Sequence, residues 1–484
     1  MSTDRRRWAA LIVLCTGMLM IVLDLTVVNV ALSSIQHDLH FTDASLAWVV
    51  NAYMIAFGGL LLLAGRLGDL LGRRRIFLSG LAVFMAASLA CGLAQSQSVL
   101  VVARFVQGVG GAMTSAVVLG MIVTMFPEPR EQARAIGAFA FVASAGGAVG
   151  LLVGGLLTQS INWHWIFFVN LPIGALTAVF ALRFVDDERG IGLHAGADVA
   201  GAASVTAALM LGVYTIVGPA STDGWADRRT LWFGAESLAL LAAFVARELT
   251  AKQPLVPLGI FRSRNVAGAN LIQVLSVAGM FGIFFMGSLY LKKVLGYGAL
   301  QIGFAFLPTT VLMAALSVRF TEPLVTRFGA RRVMVTGLAL IGLGLVVFTS
   351  APVSGGYAVH VLPVMVLLGA GAGLAFPALM TLAMSGVTGE NAGLASGLVN
   401  TTAQVGAAVG LAVLATLSAG RSSSLITTGR SVKSALTGGY HLAFWVAAAL
   451  VVVAMAVALI VLEPVAAAPS APIGEPATGA PARV

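Results

Sequence analysis

Two charged residues stand where charge is expensive. Asp24 lies inside an apolar block at roughly 8–32, and Arg104 inside another at 99–125. If these blocks cross a bilayer, each charge costs about 2.5–3.5 kcal/mol on insertion scales, so such residues are usually paired or functional. An acid beside a guanidinium offers reversible protonation, loading a proton in one environment and releasing it in another. At about 1.5 Å per residue, Asp24 sits about 24 Å up its helix and Arg104 about 8 Å in from the opposite face. Both then fall in the outer half at similar depth, where they could pair or share a water-filled cavity. Two plainer readings compete: Arg104 snorkelling to the outer interface, and Asp24 making a static interhelix hydrogen bond. Glu236 lies near the outer end of its block, where interfacial exposure accounts for it.

A second concentration of chemistry is the loop Gly65-Arg-Leu-Gly-Asp-Leu-Leu-Gly-Arg-Arg-Arg75. Its glycines, Gly65 and Gly72 among them, permit close helix approach and a tight turn, while Asp69 sits at a helix end among Arg73 and Arg74. A loop that merely sets topology needs the arginines but neither the acid nor the glycine spacing. The stretch containing Gly146, Gly150, Gly154 and Gly155 offers a small-residue face for helix packing. Candidates for a substrate pathway are Asn29 and Gln107, which share blocks with Asp24 and Arg104, together with Asn400 and Gln404. The last two share one face with Gly393 and Gly397 at helical spacing. Phe281, Phe284 and Phe285 could line an apolar pocket, although membrane core or lipid contact is commoner for such a cluster.

These residues need helices to hold them. Of 484 residues, 59% are hydrophobic and 10% charged, against roughly 25% charged in an ordinary soluble domain. The apolar residues come in runs of about 20, the length that crosses a bilayer as a helix. Fourteen such runs are predicted, at roughly 8–32, 46–70, 76–95, 99–125, 134–158, 165–184, 197–218, 230–247, 266–290, 299–321, 332–350, 359–385, 392–417 and 441–462. Alternation is lacking, which argues against a β-barrel. The first run is too long for a signal peptide and lacks a cleavage site before Asp24, so it reads as a permanent span. The Pro- and Ala-rich tail, 465–484, is expected to be disordered.

The net charge of +9 is spread through the short segments between runs, not gathered into a phosphate-binding face, so nucleic acid is not an expected partner. With the N-terminus in the cytoplasm, 20 of the 28 Lys and Arg residues fall inside and seven outside, Arg104 being the remaining one. That asymmetry places both termini in the cytoplasm. Cys15 and Cys91 both lie in apolar runs and form neither a disulfide frame nor a metal-ligand spacing. No HExxH, no paired membrane aspartates and no Walker A loop occur. A membrane enzyme, a sensor or a nucleotide-driven pump therefore lacks support, and no metal or other cofactor is expected.

A repeat runs through the chain at an offset near 260. Gly146-Gly-Ala-Val-Gly150 returns as Gly406-Ala-Ala-Val-Gly410, with Gly137 matching Gly397. Gly108-Val-Gly110 returns as Gly369-Ala-Gly371, and Leu71-Gly-Arg-Arg-Arg75 as Phe328-Gly-Ala-Arg-Arg332. Chance likeness between glycine-rich membrane helices is the bland account; three matches in order favour duplication. The division predicted is an N-terminal six-helix half (1–190), an inserted helix pair (191–262), a C-terminal six-helix half (263–464) and the tail. Two parallel halves with a pocket between them are a carrier architecture.

The Gly65–Arg75 loop resembles the signature loop between the second and third helices of the major facilitator superfamily. Four further segments are similar to its fourteen-helix drug:proton antiporter branch. They are Leu23-Asp-Leu-Thr-Val-Val-Asn-Val-Ala-Leu32, Arg104-Phe-Val-Gln-Gly-Val-Gly-Gly-Ala112, the glycine-rich Gly146–Gly155, and Trp163-His-Trp-Ile-Phe-Phe-Val-Asn-Leu-Pro-Ile-Gly174. There are departures. Leu151 follows Gly150 where the branch has proline, Ser33 replaces a proline, and His164 stands for an arginine. In the second half Thr326 takes the place of Asp69, and Met365 that of Arg104. The resemblance implies a bacterial inner-membrane exporter of small amphipathic drugs or natural products, exchanging them for protons by alternating access. Asp24 and Arg104 would couple the proton, and Asp69 and Arg73 would gate the cytoplasmic side. The proton gradient would be the only energy source. Uptake or facilitated diffusion of a metabolite is the alternative within transport.

Overall fold

The computed structural model describes residues 3–42, 44–126, 128–187, 190, 192, 198–251, 254–385 and 392–463. The tail 465–484 and most of the connection at 188–197 lie outside them. The described residues form no strand, and fourteen long helices account for most of them. In chain order they are α1 Thr3–Leu39, α2 Trp48–Leu71, α3 Arg73–Gly92, α4 Gln97–Met125, α5 Pro129–Ser160, α6 Asn170–Phe184 and α7 Val199–Val217. They continue as α8 Arg228–Thr250, α9 Arg264–Leu289, α10 Ala299–Arg319, α11 Ala330–Phe348, α12 Leu362–Ala383, α13 Ala392–Thr427 and α14 Val432–Ile460. Among the described residues, thirteen helices are long and apolar enough to cross a membrane, and α5 adds a shorter apolar run at Val149–Ser160. Helices are the natural outcome, because lipid offers no partner for an open backbone N–H or C=O.

Several helices outrun their apolar blocks. α1 begins at Thr3 and ends at Leu39, and α13 carries on to Thr427 through Arg421. Apolar content marks only the portion that lipid demands; the polar turns beyond it still satisfy their backbone by continuing the helix. Chain entry is capped where the sequence allows. Ser96, Ser263 and Ser431 each accept a bond at their hydroxyl from an amide of the helix they start. At the α2–α3 corner Gly72 adopts φ 104°, and at the equivalent corner before α11 Gly329 adopts φ 85°. Any residue with a Cβ would be strained at either point.

The two six-helix sets pack in the same pattern. In the first, α1 packs on α5 and α6, α4 on α2 and α3, and α3 on α6; in the second, α9 packs on α13 and α14, α12 on α10 and α11, and α11 on α14. The repeated glycines mark equivalent crossings. A Cβ at Gly110 would lie 2.5 Å from the Phe84 nitrogen, and one at Gly371 would lie 2.6 Å from the Gly337 carbonyl. The sets are joined mainly by α5 with α10 and α2 with α13, which exchange under the repeat, with smaller contacts of α1 on α9 and α10. α7 packs on α2 and α13, and α8 rests on α7 with its other flank exposed, displaying Leu231, Trp232, Leu238 and Leu249.

Candidate functional site

Five helices of the first half meet around Asp24. Arg104 and Gln107, three apart on α4, project from one face. α1 supplies Asp24, α3 supplies Ser88 and Cys91, α6 begins with Asn170, and α2 contributes the Val49 carbonyl and the Tyr53 ring. The Arg104 Nη1 donates to Asp24 Oδ2 at 2.5 Å and to Gln107 Oε1 at 2.7 Å, while its Nε donates to the Val49 carbonyl at 2.9 Å. Asp24 Oδ1 accepts from Gln107 Nε2 at 2.7 Å and from Asn170 Nδ2 at 3.0 Å. The same two amides donate to the Ser88 hydroxyl at 2.7 and 3.3 Å. The guanidinium carbon lies 4.4 Å from the centroid of the Tyr53 ring and 5.7 Å from that of Phe167.

Arg104 is 0% exposed and Asp24 1%. Snorkelling is thereby overturned: the guanidinium turns inward, because a carboxylate, a carbonyl and an aromatic face lie within reach there. A buried ion pair is tolerated when its remaining donors and acceptors are also met, and this one is embedded in such a network. Two groups of this cluster lack a hydrogen-bond partner among the described residues: the Asn170 Oδ1 and the Tyr53 hydroxyl. Sequence reading missed Ser88 and Tyr53, which look like ordinary residues of apolar runs. Asn170 lay in the Trp163–Gly174 segment without a role attached to it.

Arg73 and Arg74 bond inside the first half, while the Leu70 carbonyl accepts from the Gly192 amide at 3.0 Å. Arg73 Nη2 pairs with Asp69 Oδ1 at 3.1 Å, and Arg73 Nη1 donates to the Gly120 carbonyl of α4 at 3.2 Å. Arg74 donates to the Leu182 carbonyl at the end of α6, 2.8 Å away. Arg331, after the equivalent corner, donates in the same manner to the Ala458 carbonyl of α14. Gly65 meets only Ala116 of α4, at van der Waals distance from where its Cβ would be. The loop thus splices α2, α3, α4 and α6 at the end of the molecule that carries the N-terminus.

The α5 glycines divide their work. Gly146 faces Leu19 and Val22, Gly150 faces Leu23 and Thr26, and Gly154 faces Val27, so three of them seat α5 on the stretch of α1 that holds Asp24. Gly155 instead faces Ala299 and Leu300 of α10, in the other half, at 2.8–3.0 Å from a built Cβ. Gln159 Oε1 accepts from the Leu300 amide at 3.2 Å, and the Leu151 carbonyl lies over Gly303. The halves are therefore closed against each other at the end away from the N-terminus.

The remaining candidates scatter. Asn29 is buried and donates to its own helix at the Leu25 carbonyl. Gln107 belongs to the Asp24 cluster and Phe285 is 1% exposed, so in this conformation neither lines a path. Phe284 stacks on Phe306 at 5.3 Å, beside Phe281. Asn400 is exposed on α13, whereas Gln404, one helical turn further on, packs over Gly58 of α2 at the junction of the halves.

The model of the Major Facilitator Superfamily matches residues 14–411. The puromycin resistance protein pur8 of Streptomyces alboniger is 37% identical over 441 residues, 90% of this chain and 87% of the relative. The cephamycin export protein CmcT of Amycolatopsis lactamdurans is 38% identical over 410 residues, 84% of each chain. Among solved structures, a bacterial homologue of the lysosomal transporter Spinster, inward-facing and unoccupied, superposes with a TM-score of 0.67 at 17% identity, covering 94% of this chain and 97% of its own. With the same packing in both halves, the inserted pair and this span of likeness, the chain belongs to the Major Facilitator Superfamily of membrane transporters.

Proposed function

We propose that this chain exports small amphipathic drugs or natural products from a bacterial cell in exchange for protons. Its relatives in antibiotic export and resistance support the substrate class. The observation that carries the coupling is Asp24, an acid sealed inside the first half and held by Arg104, Gln107 and Asn170. In this reading the chain is a carrier with no reaction of its own and no cofactor, driven by the proton gradient across the inner membrane. The face that carries the N-terminus and the arginine loops is the cytoplasmic one.

A proton arriving on Asp24 removes the charge that Arg104 is paired with. Arg104 keeps the Val49 carbonyl and the Tyr53 ring, both on α2, so it stays with α2 while α1 is released. α1 carries α5 through Gly146, Gly150 and Gly154, and α5 meets α10 through Gly155. Protonation is thus wired to the contact that closes the far end, and a packed interface of this kind switches between discrete arrangements. Asp69 and Arg73 would act at the other end, bracing the α2–α3 corner on α4 as the cytoplasmic side opens and closes.

The test is efflux from inside-out vesicles under an imposed proton gradient. Asp24→Asn keeps the shape and one acceptor oxygen but cannot ionise, so it should abolish gradient-driven transport with the protein still inserted. Asp24→Glu should retain part of it. Wild-type coupling in Asp24→Asn would sink the assignment and leave Asp24 as a packing residue.

A further inference from the structure

A second pair of buried acids lies at the base of the inserted helices. Asp198 caps α7: its Oδ1 accepts from the Gly201 amide at 2.9 Å and from Arg247 Nε at 2.8 Å. Glu248, in the last turn of α8, accepts at Oε2 from the Val256 amide at 2.8 Å. Each residue is 4% exposed. The other oxygen of each, Asp198 Oδ2 and Glu248 Oε1, is buried and has no hydrogen-bond partner among the described residues. Both free oxygens lie within 3.0 Å of one point, the place a Cβ on Gly201 would occupy. Glycine at 201 is what leaves room for the two acids to face each other.

We propose that Asp198 and Glu248 bind one proton between them, forming a proton site in the inserted pair that is separate from the Asp24 cluster. Two carboxylates sharing one buried site raise the cost of ionising each other, so one of them keeps its proton to higher pH. A buried acceptor left unmade costs about 1–3 kcal/mol, and two are left here. One hydroxyl on Glu248 Oε1, donating to Asp198 Oδ2, satisfies both oxygens and removes the repulsion. Among the described residues, the charged groups acting on the pair are each other and Arg247, whose bond goes to the far oxygen of Asp198. The hydrophobic side chains that α2, α9 and α13 bring to the adjoining core are Leu60, Leu62, Leu63 and Leu67, Val266, and Leu398. Asp198 is the partner that keeps its charge. Burial pushes its carboxyl up, but the Gly201 amide and the Arg247 guanidinium outweigh that and hold it below its ordinary value.

The site holds a junction. The Val256 amide that binds Glu248 belongs to the connector into α9, and Leu255 and Val256 pack with Leu63 of α2, Ala202 of α7, Val266 of α9 and Leu398 of α13. Both halves and the inserted pair meet there. Loss of the shared proton sets two anions face to face and pushes the end of α8 off α7, loosening the connector. The inserted pair therefore senses pH at the N-terminal face, independently of which way the carrier drives its substrate.

Infrared difference spectroscopy of the full-length protein in lipid nanodiscs, stepped through neutral pH, reads this directly. The wild type and Asp24→Asn should both show a protonated-carboxyl stretch that disappears on alkalinisation. Glu248→Gln, which preserves the bond to Val256, should lose that band, and Asp198→Asn should shift it. Gly201→Ala keeps both acids and fills the space between them, so it should move the band towards that of an unbonded carboxylic acid. A band untouched by Glu248→Gln would overturn the proposal. So would a site that responds to added sodium or potassium at constant pH, which would make it a metal-cation site.

Discussion

Replacing Arg104 with Met leaves the Asp24 carboxylate buried with two amide donors and no counter-charge. It also removes the bond to the Val49 carbonyl and the cation over the Tyr53 ring. Breaking a buried pair by removing one partner costs about 3–5 kcal/mol, because the surviving charge is uncompensated. At about 1.4 kcal/mol per tenfold, the low end of that range already changes the folded fraction more than a hundredfold. Asp24→Asn alone costs less, since Gln107 and Asn170 can turn their amides to suit a neutral partner, yet it strands Arg104. The informative variant is the double substitution. With both charges gone nothing ionic remains buried, so Asp24→Asn with Arg104→Met should cost less than the two single losses together, by about 0.5–3 kcal/mol. Reversible unfolding in a mixed lipid–detergent system gives the four corners of this cycle. Additive losses would refute the pairing as an energetic unit and reduce the contact to coincidence of packing.

Other consequences are simpler to check. Asp69→Asn should lower transport while leaving insertion and expression intact, because the half-exposed pair with Arg73 contributes at most about 1 kcal/mol to stability; normal export by this variant would make the loop a topology determinant only. Gly154→Val should cost about 1–3 kcal/mol and most of the transport, since even a Cβ there would meet the α1 backbone at 2.9–3.0 Å; Gly147→Ala, whose Cβ would lie 4.0 Å from Thr26, should be silent in the same assay. Reporters fused after Val185 or Ala251 should be cytoplasmic, and one placed between Pro219 and Asp227 external. An external signal at Ala251 would mean that α7 and α8 are not a two-span hairpin.

The sequence alone determined the parts that follow from solvent and period. Runs of about twenty apolar residues must become helices in lipid, and the likeness of Gly108-Val-Gly110 to Gly369-Ala-Gly371 already told of two related halves. Asp24 and Arg104 stood out because charge in an apolar run is costly wherever the run ends up. The direction in which those charges turn was not legible. Arg104 lies a short way into α4 and could have reached the interface; only the packing of α1, α2, α3 and α6 around it offered Asp24, the Val49 carbonyl and the Tyr53 face, which together outbid water. The roles of Ser88 and Asn170 were invisible for the same reason, since a small polar residue in an apolar helix acquires a partner only when another helix supplies one. Gln107 and Phe285 went the other way: their types suit a substrate path, and tertiary contacts closed them off. The facing of Asp198 and Glu248 across Gly201 spans fifty residues of chain and the full length of two helices. A one-dimensional pattern records neither how helices rotate about their axes nor which ends meet, and that geometry decides whether an acid is paired with a cation, an amide or another acid.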